Sequence, residues 1–352
     1  MSAAGLNTSA AVAAPSEKSE GVWHAAWRRF KADRVGMVSA VIVLSFLLLV
    51  LLSALDMVAK NWQAEVGVAN APPTFIGPKP PEATGAIEVP KGPNVDLSAV
   101  DPLAPRYAEI EEAAKKYRTA DTAKAETLPL GGDRLGRDVL DKAIKGTQIS
   151  VFVGVLAAVL ATLIGTVLGA LAGFFGGKVG DFLEWLYNVF EAIPGILLIF
   201  AFAAVFGRGI GTVVLILGLA GWTGLYRQVR AEFMKHGGRE YVRAAEAMGA
   251  SAFSRMFKHI LPNISHVILV RMGLLVVGFI KSEVILSYLG LGVGIDDVSW
   301  GTMLSEAQAE LILGYWWQLV SATAFMCVFV TAFSLMADAA RDALDPKLRG
   351  LE

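Results

Sequence analysis

Cysteine, histidine and charge are all scarce in this 352-residue chain, and each scarcity removes a class of function. The one cysteine, Cys327, cannot form a disulfide framework within the chain, and its apolar surroundings suit a small core residue better than a nucleophile. The four histidines, His24, His236, His259 and His266, form no HExxH pattern and no His/Cys ligand spacing, so no metal site is expected. A formal net charge of -1 offers no basic excess to hold nucleic acid. The nearest approach to a phosphate-binding loop, AGFFGGKV over Ala172–Val179, lacks the first glycine and the final Ser/Thr of GxxxxGK[ST]. Gly207-Arg208-Gly209 reads as a turn, and nothing resembles a catalytic triad. The chain is therefore expected to be no enzyme and to bind no cofactor of its own. Charged residues make up 18%, against about 25% in soluble domains, while 55% are hydrophobic. That balance points to lipid.

A helix crosses a bilayer with about 20 mostly apolar residues, because the hydrocarbon is ~30 Å thick. Six segments qualify, and an all-α membrane protein with six transmembrane helices is predicted. They are Val35 to Leu55, then about 149–172, 181–206, 210–226, 263–289 and 316–336. The first is read as a retained anchor and not a cleaved signal peptide, since some thirty residues precede it and its apolar run is long. Arg28, Arg29, Lys31 and Arg34 crowd its start, which places the N-terminus in the cytoplasm. Six spans return the C-terminus, with Arg341, Lys347 and Arg349, to the same side. The basic connection between the fourth and fifth spans, with Arg227, Arg230, Lys235, Arg239, Arg243, Arg255 and Lys258, also falls inside.

This organisation gives a cytoplasmic tail over 1–34, a first span over 35–55 and an external loop over 56–146. A core follows over 147–338, including a cytoplasmic loop at 236–262, and then a tail over 339–352. Residues 1–20 are Ala/Ser-rich and aperiodic, and disorder is expected. Trp23, Trp27 and Phe30 recur at helical spacing among basic residues, the pattern of a helix lying in the headgroups. The external loop is proline-rich (Pro72, Pro73, Pro78, Pro80, Pro81, Pro90, Pro93), which predicts little regular structure. A charged helix is expected from Pro105 to Ala120, with Tyr107, Ile110, Ala114 and Tyr117 on one side. A loop this long is expected to cap the external mouth or touch a docking partner. Gly165, Gly169 and Gly173 recur every four residues and predict a close helix–helix contact.

Ionisable groups inside spans normally face an aqueous path or a partner. Glu283 is the leading candidate for a pore or interface role. Lys281, two residues away, lies on another face of that helix. Glu191 follows, three residues before Pro194, whose ring should kink the third span. Arg271 is expected to snorkel toward the cytoplasmic boundary.

The cytoplasmic stretch Gly237–Asn263 reads GGREYVRAAEAMGASAFSRMFKHILPN. Tyr241, Ala244, Ala245, Met248, Ala252 and Met256 are predicted to share one helical face. Gly249 should turn the chain between two short helices, and Pro262 should mark the return to the membrane. Its AAEAMG, followed by LP, resembles the EAA loop of permease subunits in binding-protein-dependent ABC importers, through Ala244, Ala245, Gly249, Leu261 and Pro262. Arg243 stands where the family has its name-giving glutamate, and His259 where an aliphatic residue is common.

LPLGGDRLGRDVLDKAIKGTQIS (Leu128–Ser150), SEVILSYLGLGV (Ser282–Val293), SWGTML (Ser299–Leu304) and DAARDALDPKLRG (Asp338–Gly350) resemble signatures of the dipeptide, oligopeptide and nickel permeases. The opening WRRFKADRVGMVSAVIV is similar to their C-type subunit. Gly132 replaces a threonine, and Asp296-Asp297 a proline-rich stretch, so a different external rim is expected.

The resemblance implies a type I ABC importer permease fold in a bacterial inner membrane. It implies four kinds of partner: a homologous second permease, two ATP-binding cassette subunits that bind ATP and Mg, a periplasmic substrate-binding protein, and membrane lipid. Coupling would run through Arg239, Glu240, Tyr241, Arg243, Ala244, Ala245, Met248, Gly249, Ala250, Ser251, Leu261 and Pro262, with a peptide as the default substrate. A secondary transporter or channel acting alone is the alternative, although no internal repeat is seen.

Overall fold

A computed structural model describes residues 22–78, 101–115 and 124–344. Residues 1–20, Pro80, Pro81, Pro90, Pro93, Tyr117 and the tail beyond 344 lie outside the described residues. Those described form helices and loops, with isolated β-bridges but no sheet. Helix α1 (Val22–Ala32) leads into α2 (Arg34–Ala54), which Asp33 caps by accepting from the Val35 amide at 2.9 Å. In α1, Trp27 stacks on Phe30 and lies under the Lys31 ammonium, leaving an aromatic and cationic outer edge.

The described residues between α2 and α4 hold more backbone pairing than Pro72 and Pro73 suggested. Residues 61–74 run beside 124–138 through short bridges, Glu65 to Arg137, Gly67 to Ala125 and Pro73 to Leu128. Gly136 is required there. Its φ is +80°, and a Cβ would stand 2.1 Å from the Gly67 carbonyl oxygen. The expected charged helix exists as a 3-10 turn (Ala104–Arg106) followed by α3 (Tyr107–Lys115).

Helix α4 (Val139–Phe175) is the central element and starts ahead of the expected position 147. Asp138 caps it, accepting from the Leu140 amide at 2.8 Å, so the start signal lay in the GRD motif before the apolar run. Two expected spans are broken. Helices α5 (Gly177–Glu191) and α6 (Gly195–Phe206) meet at 84° across Pro194, and α7 (Ile210–Ala220) and α8 (Thr223–Gly237) at 42°. After α9 (Glu240–Ala247) come α10 (Ala252–Ser254), a π-helical stretch (Arg255–Ile260) and α11 (Leu261–Tyr288), continuous over 37 residues. Pro262 therefore does not mark a boundary. The wider π turns just before it make room for its ring, so the helix passes through. Helices α12 (Trp300–Ile312) and α13 (Trp317–Leu344) complete the described chain. Four helices are long and apolar enough to span a membrane, or six spans arise if each bent pair counts as one.

The core is built around α4, against which α2, α7, α8 and α11 pack. Val153, Ala157, Ile216, Leu217, Ile280, Trp300 and Phe329 are fully buried there. Gly165, Gly169 and Gly173 lie against α8 as predicted. A Cβ at each would meet the carbonyl oxygens of Trp222, Tyr226 and Arg230 at 2.8, 2.7 and 2.5 Å. Hydrocarbon gives packed helices no hydrophobic advantage over lipid, so such backbone proximity supplies the attraction.

Gly169→Val should therefore lower the melting temperature in detergent, by overpacking that costs about 1–3 kcal/mol. Gly278→Ala, where a Cβ meets nothing within 4 Å, should melt at or slightly above the parent temperature. Equal melting of Gly169→Val and the parent would show that the glycine stripe does not hold α4 to α8.

Candidate functional site

The chain leaves α8 through Gly238 and enters α9 at Arg239, an extended N-cap residue with Glu240 in the first turn. The helix is amphipathic in an unusual sense. Val242 is buried with Met256, Ile260 and Phe233, and Ala245 is buried too, while Tyr241, Arg243 and Ala244 face outward. Gly249 then turns the chain at φ +83°, its amide donating to the Glu246 carbonyl and that of Ala250 to the Ala245 carbonyl, each at 2.9 Å. Ser251 caps the next helix by accepting from the Ser254 amide.

This turn changes the helix axis, which corrects the predicted single face. Met256 is buried with Ala245, whereas Met248 is 81% exposed and Phe253 70% exposed. Leu261 is half-buried and Pro262 exposed. Glu246 pairs with Arg255, whose guanidinium lies 5.3 Å from the Phe174 ring centroid at the end of α4. The Tyr241 hydroxyl meets His236 Nδ1 at 2.8 Å. An outward apolar tip thus stands on a base fastened to α4, α8 and α11.

The proposed pore or interface residues separate. Glu191 and Pro194 are exposed at the α5–α6 break, and Lys281 is exposed on α11. Glu283 is a correction: it is wholly enclosed within this chain, so it lines no open path and reaches no neighbouring subunit. Ser150 donates to it at 2.7 Å and Ser287 at 2.6 Å, while the Trp300 amide donates to Ser150 at 3.3 Å. It ties α4, α11 and α12 together. The serines that satisfy it lie far off in sequence or one turn away, and hydropathy does not register them.

A second polar cluster was not singled out from the sequence, although Asp133, Arg137 and Lys142 lie in the resembling motif Leu128–Ser150. Asp133 and Lys142 are fully buried and paired at 2.8 Å. Asp133 also accepts from the Leu135 and Arg137 amides, both at 2.9 Å, and from Arg137 Nε at 2.7 Å. Lys142 donates further to Glu306 and to Gln318. Trp317 Nε1 donates to the Gly132 carbonyl at 2.7 Å, and Glu310 accepts from the Arg134 amide at 2.9 Å. The GDRLGRD segment is thereby bolted to α4, α12 and α13. Burial pushes the Asp133 carboxyl up, but Lys142 and Arg137 outweigh it and hold the group below the usual carboxylate range. Burial raises Glu310, against the Arg134 amide and Lys142.

Lys142→Met should destabilise by about 3–5 kcal/mol, because it removes one of the two cations that compensate the fully buried Asp133 carboxylate. Adding Asp133→Asn should restore part of that loss. Since the folded-state pKa of Asp133 is depressed, its stabilisation is complete above the ordinary carboxylate value near 4 and disappears as pH falls through the folded value. Asp133→Asn should lack that acid limb in melting curves taken against pH. An unchanged acid limb would remove Asp133 from its cause.

Comparison with known proteins places this geometry. Residues 165–350 match the family described as "Binding-protein-dependent transport system inner membrane component". Residues 21–73 match the N-terminal transmembrane domain of oligopeptide transport permease C. The Bacillus subtilis oligopeptide transport system permease protein OppC is 32% identical over 70% of this chain and 81% of its own length. The Bacillus subtilis dipeptide transport system permease protein DppC is 37% identical over 62% and 68%. A Lactococcus lactis dipeptide permease, DppC, is 28% identical over 92% and 90%. The chain is thus a multi-pass membrane protein and a non-enzymatic permease subunit, and it belongs to the binding-protein-dependent transport system inner membrane component family.

Proposed function

We propose that this chain forms half of the translocation pathway of an ATP-driven importer of dipeptides or oligopeptides, with α9 as the handle through which ATPase subunits move it. The observation that carries this reading is the exposed tip, Met248 at the end of α9 and Phe253 on the following α10, beside a helix whose inner face is buried through Val242 and Ala245. Exposed apolar side chains on a rigid base suit a groove on a partner. The peptide substrate rests on the names of the relatives.

In this reading a homologous permease supplies the other half of the pathway, and a periplasmic binding protein delivers substrate. Two ATP-binding cassette subunits hold ATP and Mg. Both termini and α9 face the cytoplasm, in keeping with Arg28, Arg29, Lys31, Arg34, Arg239 and Arg243 on that side. ATP-driven closure of the ATPases displaces α9. The Glu246–Arg255 pair and the buried face then carry that displacement into α8 and α11. Docking need only favour one of two pore states by a few kcal/mol.

Full burial of a methionine side chain contributes about 1.5–3 kcal/mol, so Met248→Glu should weaken ATPase association by at least about tenfold. In proteoliposomes carrying the whole complex, peptide uptake should fall in parallel while membrane insertion is kept. A cysteine at Met248 should crosslink to an ATPase subunit. Full uptake by Met248→Glu, or crosslinks that find no ATPase, would favour a transporter or channel acting alone.

A further inference from the structure

A crevice of about 370 Å³ opens between α8, α11 and α13. Its polar lining is cationic or neutral: Arg271 and His266 from α11, Arg341 from α13 and Gln228 from α8. Val270 and Leu344 are among its apolar walls. Among the described residues no carboxylate pairs with Arg271 or Arg341, including Asp338 and Asp342, which neighbour Arg341 on α13. The Arg271 Nε is buried without an acceptor. Its guanidinium lies over Gly224, where an added Cβ would stand 2.7 Å from Nη2. The absent side chain at 224 leaves that path open.

A half-buried guanidinium in an apolar helix with no acceptor for its Nε is costly, and the exposed Arg341 brings a second positive charge to the same crevice, so one anion there would neutralise both. Two forked donors suit a tetrahedral phosphate, which can accept from several N–H groups at once. The crevice also sits at the right level for a membrane surface. Gly36, in the first turns of α2, lies against Ala339, with a Cβ there only 2.6 Å away. Arg341 is therefore level with Arg34, where the first apolar helix begins, while Val270 and Leu344 offer an apolar side to a glycerol backbone. The short helix α1, with Trp27, Phe30 and Lys31 at its edge, packs on α13 at this end.

We propose that this crevice binds the phosphate of an anionic phospholipid headgroup, gripped between Arg271 and Arg341. The site concerns lipid and not transported substrate, and it stands whether or not α9 docks an ATPase.

The test uses the full chain, purified in a neutral detergent and titrated with short-chain phosphatidylglycerol. Phosphatidylcholine and inorganic phosphate form parallel arms, and bound species are counted by native mass spectrometry. Phosphatidylglycerol should bind in preference to phosphatidylcholine, and the Arg271→Gln/Arg341→Gln pair should weaken it by about tenfold or more. The melting temperature of that pair should stay at the parent value, which separates loss of the site from loss of the fold. Gly224→Ala, a far milder change, should also lower phosphatidylglycerol occupancy by crowding Arg271. Equal phosphatidylglycerol binding by the parent and the double variant would overturn the proposal. Inorganic phosphate that displaces phosphatidylglycerol at equal concentration would overturn the lipid assignment in favour of a soluble anion.

Discussion

Where helices lie in hydrocarbon, apolar side chains gain little by leaving lipid for one another, and the contacts that hold them are the ones lipid cannot imitate. In this chain that contact is the seam between α4 and α8. Gly165, Gly169 and Gly173 meet the carbonyl oxygens of Trp222, Tyr226 and Arg230, so two rows with the same four-residue spacing run in register. The seam fixes α8, and α8 leads directly to α9. Gly154 against Ile280 and Gly218 against Leu160 repeat the device toward α11 and α7. Small residues therefore set the architecture around α4, and large apolar side chains fill the spaces it leaves.

Polar groups do a different task. The Glu283 cluster and the Asp133–Lys142 cluster each join α4 to later helices. Desolvation makes a buried ion pair a poor source of net stability, but it penalises any arrangement that separates its members. Lys142 has partners in Asp133, Glu306 and Gln318, so moving the segment ahead of α4 or α12 alone would break an ion pair, and moving α13 alone would remove a neutral acceptor from a buried ammonium. That constraint registers the external segment against the helices, where α13 and α12 could otherwise slide on apolar contacts.

What could be read from sequence follows the same division. Apolar length was legible because bilayer thickness dictates it, and the glycine stripe because its spacing is local. The bend at Pro194 was half legible: the proline announces a break, but the apolar run on both sides gives no sign that the chain turns by 84°. Pro262 misled for the opposite reason, since a π-helical stretch accommodates it and no local signal marks such a stretch. At α9 the apolar residues were visible, but dividing them into an anchored and an exposed set depends on the change of axis at Gly249. Glu283 reads from sequence as a pore or interface group because a carboxylate in a span is conspicuous. Ser150 completes its environment from another helix, and sequence spacing carries no trace of that.

Helix α4, about 55 Å long at about 1.5 Å per residue, is held near one end by the Lys142 cluster and near the other by Gly173 against α8. An element clamped at both ends moves as a rod, so any change of shape within the chain is concentrated at the breaks in other helices. The two breaks are not equal. At the α7–α8 break, Trp222 is buried against Tyr226 and Phe190, and a Cβ on Gly221 would stand 2.3 Å from the Phe279 ring. At the α5–α6 break, Glu191, Ala192, Ile193 and Pro194 are all exposed, and Gly195 has nothing near its Cβ position. Bending there disrupts little packing, whereas bending at Trp222 would break an aromatic cluster and the glycine seam together. Energetics therefore assign compliance to the α5–α6 break and stiffness to the path from α9 through α8 to α4.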